Sequence, residues 1–442
     1  MCRGSFFDQR KGKAFGWIAV FLLVASSPLS CWAQETQAPQ PGGARLVSAE
    51  FTGSSRFRSE QILAATSLRI GADVTRDDLQ KAADSLAQLG PFATVNYRFA
   101  SLEAGVRAEY QVTDAPAVPV AFDNFPWFTD DQITAALKSS VPLFDGTAPT
   151  RGTILEAMAD ALETLLIKRG TPIRVSHDLT TAPLSNGQIQ MFRAEDSTVR
   201  VAGVEFGDSL AQNDRAIQQS LPDLVGRPYS RTAVELFELE QVRPIYLARA
   251  FLRVRFGLPT ANFQSGAGES RVTVVAPIDP GPAFSWNGAA WSGNMAIASP
   301  ELSGLLSLRP GDVADGMKIE ATWQAVRDAY TRRGYLDVKL TAVPKFDDAA
   351  KRVSYDVAVT EGPQYRMGEL VLSGLSIEGE RRIRAAWKVA PGAIFDASVY
   401  QEFLDHGIKE AFRGLPFHYE KIGRFLQRNP KTATVDVLLD FQ

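Results

Sequence analysis

Two cysteines, Cys2 and Cys31, are all that 442 residues contain, and both fall within the first 33 positions. Removal of that leader would leave a mature chain with no thiol and no disulfide. Apolar burial then has to hold each domain together, even in an oxidising compartment. Histidine is nearly as scarce. His177, His406 and His418 are too few and too scattered for a metal site or a nucleophile triad, so no metal, no cofactor and no catalytic residue is expected. A basic excess is missing as well. The formal net charge is −3, and it becomes more acidic without Arg3, Arg10, Lys11 and Lys13 of the leader. Nucleic acid and anionic lipid would select a cationic surface and are excluded as natural partners. After the leader no apolar run is long enough to cross a bilayer as a helix. Nucleophile elbows, Walker loops and dinucleotide fingerprints are absent. The carboxylate pairs Asp77-Asp78, Asp130-Asp131 and Asp347-Asp348 stand where helix starts or turns are expected, where they favour a helix dipole or face solvent. The chain therefore reads as a non-enzymatic protein.

What is present begins with residues 1–33, which have the build of a secretory signal peptide. Arg10, Lys11 and Lys13 precede an apolar run from Ala14 to Ala25, Pro28 breaks it, and Cys31-Trp32-Ala33 offers small residues for cleavage after Ala33. Lipidation at Cys31 and an uncleaved anchor are weaker alternatives, because Pro28 stands where a lipobox has Leu and the run is short for a span. Residues 34–43 form a linker. Hydrophobic content of 45% and charged content of 22% place the remainder among globular proteins, and its length implies several domains.

The remainder repeats with a period near eighty. Short strands ending in a turn start at Val47, Val118, Val199, Phe284 and Leu370. A first helix is expected to end near Gly71, Gly146, Gly226, Gly311 and Gly392, and a second near Gly90, Gly170, Ala250, Gly334 and Gly414. Leu79, Ala82, Ala83, Leu86 and Leu89 follow helical spacing after Thr75 as N-cap, and Ile319, Trp323, Val326 and Tyr330 do the same in the fourth unit. Pro244 is expected to kink or divide the second helix of the third unit. Each second helix leads into a strand such as Val95–Phe99 or Leu336–Leu340, and a further strand returns: Val106–Val112, Ile189–Phe192, Arg271–Val275, Val353–Val359 and Val435–Leu439. The expected fold is α+β, a tandem array of about five β-α-α-β-β modules, each a three-stranded mixed sheet with two helices on one face. The modules span 44–115, 116–197, 198–282, 283–364 and 365–442, the second and third being divergent. Phe125-Pro126-Trp127-Phe128, Trp286 and Trp291 are expected to close cores or joints rather than bind peptides. Pro280-Gly281-Pro282 and Gly362-Pro363 mark linkers.

At Arg332-Arg333-Gly334-Tyr335-Leu336-Asp337-Val338, at Val357–Pro363 with its "V-x-E-G" ending, and at Tyr365–Gly374, the sequence resembles the POTRA (polypeptide-transport-associated) repeats of Omp85/BamA-type outer-membrane assembly proteins. No residues are expected to remain for a barrel after the strand at Val435–Gln442. The resemblance implies a periplasmic polypeptide-binding scaffold, associated with the outer membrane and acting in outer-membrane protein assembly or secretion. Extended or unfolded outer-membrane protein segments would add to an exposed sheet edge. It implies that the first strand of the closing hairpin is that edge, which points to Leu336, Val338 and Leu340 in the fourth unit, then Val95 and Tyr97 in the first. The alternative is a docking adaptor linking a separate Omp85-type barrel to another envelope protein, whose mark would be one contiguous apolar patch on a single module.

Overall fold

The computed structural model describes residues 43–264, 270–414 and 420–442. The leader with its cleavage position after Ala33, Cys31 and His418 lie outside the described residues. In the first unit, strand β1 (Ala44–Thr52) is followed by helix α1 (Ser59–Ala64), a two-residue strand β2 (Asp73–Val74), helix α2 (Arg76–Leu89) and the hairpin β3 (Phe92–Leu102) and β4 (Gly105–Asp114). The second unit runs β5 (Ala117–Phe122), α3 (Asp130–Ser140), β6 (Thr147–Pro149), α4 (Ile154–Arg169), β7 (Val175–Thr181) and β8 (Gln188–Ala194). The third holds β9 (Arg200–Phe206), α5 (Ser209–Asn213), α6 (Arg215–Ser220), α7 (Arg231–Phe237), α8 (Arg243–Ala248), β10 (Arg255–Phe256), β11 (Thr260–Phe263), β12 (Arg271–Ala276) and β13 (Ile278–Asp279). The fourth is β14 (Ser285–Ser292), α9 (Ser299–Gly304), α10 (Gly316–Thr331), β15 (Lys339–Asp347) and β16 (Arg352–Thr360). The fifth is β17 (Arg366–Ser373), α11 (Ile377–Ala386), α12 (Ala397–Glu402), α13 (Ile408–Ala411), β18 (Ile422–Asn429) and β19 (Thr434–Phe441).

One sheet rule recurs. The closing hairpin's second strand (β4, β8, β12, β16 or β19) is central in each unit's main sheet, the first strand lies parallel beside it, and the hairpin partner lies antiparallel on the other side, as in the order β14-β16-β15. Alternation along the central strand explains the layering. Val353, Val357 and Val359 of β16 are buried under α10, whereas Arg352, Asp356 and Ala358 face away. Thr75 caps α2 as its spacing predicts: its hydroxyl accepts from the Asp78 N–H at 3.2 Å, and the Asp78 carboxylate returns to the Thr75 N–H at 2.9 Å.

Three expectations need correction. Gly71, Gly146, Gly226, Gly311 and Gly392 do not end the first helices, which stop at Ala64, Ser140, Ser220, Gly304 and Ala386. These glycines sit in a left-handed turn several residues later. Each turn swings the chain back to bridge the start of the first strand, through β2, through β6, or through Arg200↔Pro228, Ser285↔Val313 and Arg366↔Ile394. Leu336 and Val338 are not on the strand, because β15 begins at Lys339. The first helix of the third unit is split in two, with Asp208 and Asp214 capping the pieces. Pro244 does divide the second helix: a π-helical stretch, Glu238–Val242, separates α7 from α8.

Joints follow a second rule: loops and helix ends of one unit meet the turn before, or the start of, the next unit's second helix. Arg56 reaches Asp145 at 2.9 Å, and the Thr153 N–H donates to the Gln88 carbonyl. Asp123, only 4% exposed, accepts from the Ser230 hydroxyl at 3.0 Å and the Thr232 N–H at 2.8 Å, so a side chain of unit two helps cap α7 of unit three. Arg231 grips Asp130 with two bonds of 3.0 and 3.1 Å. Phe125 is buried in the core of unit two and Trp127 packs on the cores of both units, as core and joint closure predicts. Trp286 is buried in unit four. Asp337 closes the last joint, accepting from the Tyr365 hydroxyl at 2.6 Å and from Arg428 at 2.5 Å.

Candidate functional site

The main sheet of each unit leaves its hairpin strand with a neighbour on one side only: β3, β7, β11, β15 and β18. A strand with one neighbour shows a row of unpaired N–H and C=O groups. In β15 the orientation of that row follows from one residue. Pro344 lies opposite Tyr355 within the antiparallel ladder and has no N–H to give. It belongs at a position whose N–H would point away from β16, and the period of two turns the N–H groups of Leu340 and Ala342 the same way. The Leu340 side chain packs inward between the two core clusters of unit four, so its backbone is free while its side chain anchors the strand. Pro344 itself interrupts the free row toward Asp347.

Strand β3 is longer, eleven residues, and contains no proline. Val95, Tyr97 and Phe99 pack on the core, while Thr94, Asn96 and Arg98 are exposed on the opposite face. Tyr97 and Phe51 stack on Tyr110 at 5.7 and 4.8 Å between centroids. Tyr110 donates to the Leu79 carbonyl at 3.0 Å, and burial pushes its phenol pKa well above the ordinary value. These contacts fix the strand on α2. A depression of about 330 Å³ opens beside it, lined by Thr52, Asn96, Arg98, Glu109 and Gln111 among others.

The sequence-derived site residues thus fall into two groups. Val95, Tyr97 and Leu340 lie on free-edge strands with inward side chains. Leu336 packs instead against the core of unit five and Val338 against that of unit four, both in the turn that forms the joint. Ala342 was missed, and Pro344 in an otherwise alternating run is the mark that points to it. His177 bonds Glu156 and Gln190 within unit two, and His406 lies in the π-helical stretch Phe403–Gly407 of unit five. Among the described residues no three His, Cys, Asp or Glu side chains converge on a cation-sized site.

Residues 286–362 match the model for POTRA, "Surface antigen variable number repeat". A protein of Treponema pallidum (strain Nichols), provisionally named as an outer membrane protein assembly factor, is 24% identical over 223 residues, 49% of this chain and 26% of that protein. The chain therefore spans about a quarter of the length of this curated relative. Among solved structures, BamA POTRA3-5 of Haemophilus influenzae is similar with a TM-score of 0.42 and 20% identity, over 55% of this chain and 96% of that one. The N-terminal domain of Omp85 from Thermosynechococcus elongatus aligns over 91% and 98% with a TM-score of 0.22 and 10% identity. Residues 286–362 thus match the POTRA model, and the similarity to the relative named as an assembly factor extends over 49% of the chain.

Proposed function

We propose that this protein is a periplasmic polypeptide-binding scaffold acting in outer-membrane protein assembly or secretion, and that it holds extended segments by strand addition to its free hairpin edges. One observation carries the reading: β3 and β15 stay open on one side while their inward side chains, Val95, Tyr97 and Phe99 or Leu340 and Ala342, pack on the core. Main-chain hydrogen bonds made there tolerate many client sequences, as suits unfolded chains. Strand β3 is the favoured edge because it is the longest and unbroken, with β15 next between Lys339 and Val343. The relative named as an assembly factor supports the setting. Ala342→Pro tests the mechanism, since it deletes one outward N–H and leaves the ladder to β16 intact. It is expected to keep the melting temperature within a few degrees, a change of about 1 kcal/mol or less. Site-specific crosslinking from β15 to unfolded outer-membrane proteins should fall severalfold. Unchanged crosslinking by a folded variant would sink the strand-addition reading for this edge.

A second reading, a docking adaptor between an outer-membrane barrel and another envelope component, is favoured by one feature. Unit five alone presents a continuous apolar row on the open face of its sheet.

A further inference from the structure

The helices of each unit pack on one face of its sheet, and the other face carries the outward-pointing residues of three strands, buried in unit two at Ile189 and Met191. Cross-strand partners on that face can be read from the register. In unit one they are Glu50, Glu109 and Arg98, then Thr52, Gln111 and Asn96. In unit three the row is Glu205, Val275 and Thr260, and in unit four Ala290, Asp356 and Val343. In unit two, Met191 stands between Ala121 and Asp178. Each of these rows is broken by a polar or charged side chain. Unit five differs: Val371, Leu438 and Phe425 line up across all three strands. Val371 is 41% exposed and Phe425 60%. The Phe425 ring leans along its own strand over Gly423, where a Cβ would stand 3.2 Å from Cε2. Gly423 is thus the seat that lets the ring lie along β18.

The surroundings of the row specify its partner. Asp436 and Asp440 flank Leu438 two residues away on either side, on the same face. Asp436 accepts the Glu369 N–H at 2.7 Å, and Asp440 accepts the Ser373 hydroxyl at 2.5 Å and the Gln442 amide at 2.7 Å. These bonds hold both carboxylates in place, those to Asp440 favour its charged form, and among the described residues no Lys or Arg pairs with either. The opposite positions on β18 are Gln427 and Gly423, which add no cation. An apolar stripe between two fixed, uncompensated negative charges excludes an anionic lipid surface. It also excludes a second copy of this chain docked through the same face, which would press like charges together.

We infer that the open face of the unit-five sheet is a docking surface for a partner protein that inserts apolar side chains onto Val371, Leu438 and Phe425, with Lys or Arg on both flanks to meet Asp436 and Asp440. The inference rests on the adaptor reading for its biological setting and owes nothing to the hairpin edges. Desolvation of the row supplies the attraction, and the two carboxylates select the charge and set the register.

Three synthetic amphipathic peptides of equal length serve as probes, Leu/Lys, Leu/Glu and Ser/Lys, titrated against the full chain by fluorescence anisotropy. The Leu/Lys peptide is expected to bind at least tenfold more tightly than either of the others. Phe425→Ser should lose at least tenfold in that affinity. Asp436→Asn with Asp440→Asn, which keeps the hydrogen-bond acceptors, should lose a comparable factor together with most of the salt dependence. Ala342→Pro should bind the peptide as the parent does, which separates this face from the hairpin edge. Equal binding by Phe425→Ser, or by the Ser/Lys peptide, overturns the inference. So does a concentration-dependent dimer that disappears in Phe425→Ser, because the occupant would then be a second copy. A photoreactive residue at position 425 in intact cells tests the setting independently. A discrete product whose labelled peptide carries Lys or Arg beside apolar residues supports the adaptor, and no discrete product removes the adaptor reading even if the peptides bind as stated.

Discussion

Glu238 is the residue most at odds with its surroundings. It is fully buried in the π-helical stretch of unit three, and neither carboxylate oxygen has a hydrogen-bond partner. Burial, helped by the nearby Glu235 charge, pushes its pKa up to about 8. An unfolded chain would release that proton near the ordinary value of 4.5. The folded form therefore binds more protons between about pH 4.5 and 8, and stability contributed at this position falls as pH rises through that window. Thermal melts should show a decline from pH 5 to pH 8 that Glu238→Gln flattens. Glu238→Met should raise stability at pH 8 by about 1–3 kcal/mol, the usual cost of an unpartnered buried polar group. A parent chain with a flat profile over this range would show that a partner for the carboxylate forms in solution. Ala250 is a second local conflict. It takes φ +66 at the position where the other units use glycine, so the repeat imposes a left-handed conformation on a residue that disfavours it.

At the scale of the element, the "V-x-E-G" ending has a visible task. Glu361 accepts from the Ala296 N–H at 2.7 Å and the Tyr330 hydroxyl at 3.1 Å, tying the loop after β14 and the end of α10 to the closing strand. Asp114 does the same in unit one through Ser54 and Ser55. The Arg-Gly-Tyr junction is equally constrained. Gly334 has φ +83, and a Cβ there would stand 2.6 Å from the Tyr365 carbonyl oxygen. Gly334→Ala is expected to destabilise by about 2 kcal/mol or more, one part from the left-handed backbone and the rest from displacing unit five. Urea denaturation followed by Trp fluorescence would measure it, and a loss below about 0.5 kcal/mol would mean the joint yields without strain. Motifs of this kind were legible because they are local: Thr75 before an apolar period, and alternation in β4, β16 and β19. The short bridging strands were not legible, since two or three residues carry no periodicity. The start of β15 was misplaced because Leu336 and Val338 look alternating, while Leu336 packs on the core of unit five and Val338 on that of unit four, both ahead of the ladder to β16.

The whole molecule is governed by its joints, which no periodic pattern reports. The link between units two and three is strongly polar, with Arg231 on Asp130 and Asp123 at the start of α7. Arg231→Met should cost about 1–3 kcal/mol, less than breaking a fully enclosed pair because Asp130 keeps a third of its side-chain surface. Small-angle scattering should show a wider spread of overall dimensions. A variant with unchanged scattering would mean that Trp127, packed on both cores, holds the joint without the ion pair. Charge partners so far apart in sequence cannot be found by spacing, which is why Asp123 and Arg231 drew no notice before the fold was known. The apolar row of unit five was hidden for the same reason: Val371, Leu438 and Phe425 become neighbours only through the register.

The placement of the closing hairpin's second strand at the centre of each unit's main sheet also sets a timetable. Leu46 pairs with Val106 and Trp286 with Val353, so the opening strand of a unit has its main partner only after that unit's final strand has arrived. A chain delivered N-terminus first completes its units one after another, each staying unlatched until its own end is through. A truncation placed inside any unit would leave that unit's opening strand without its main partner, and the upstream units whole.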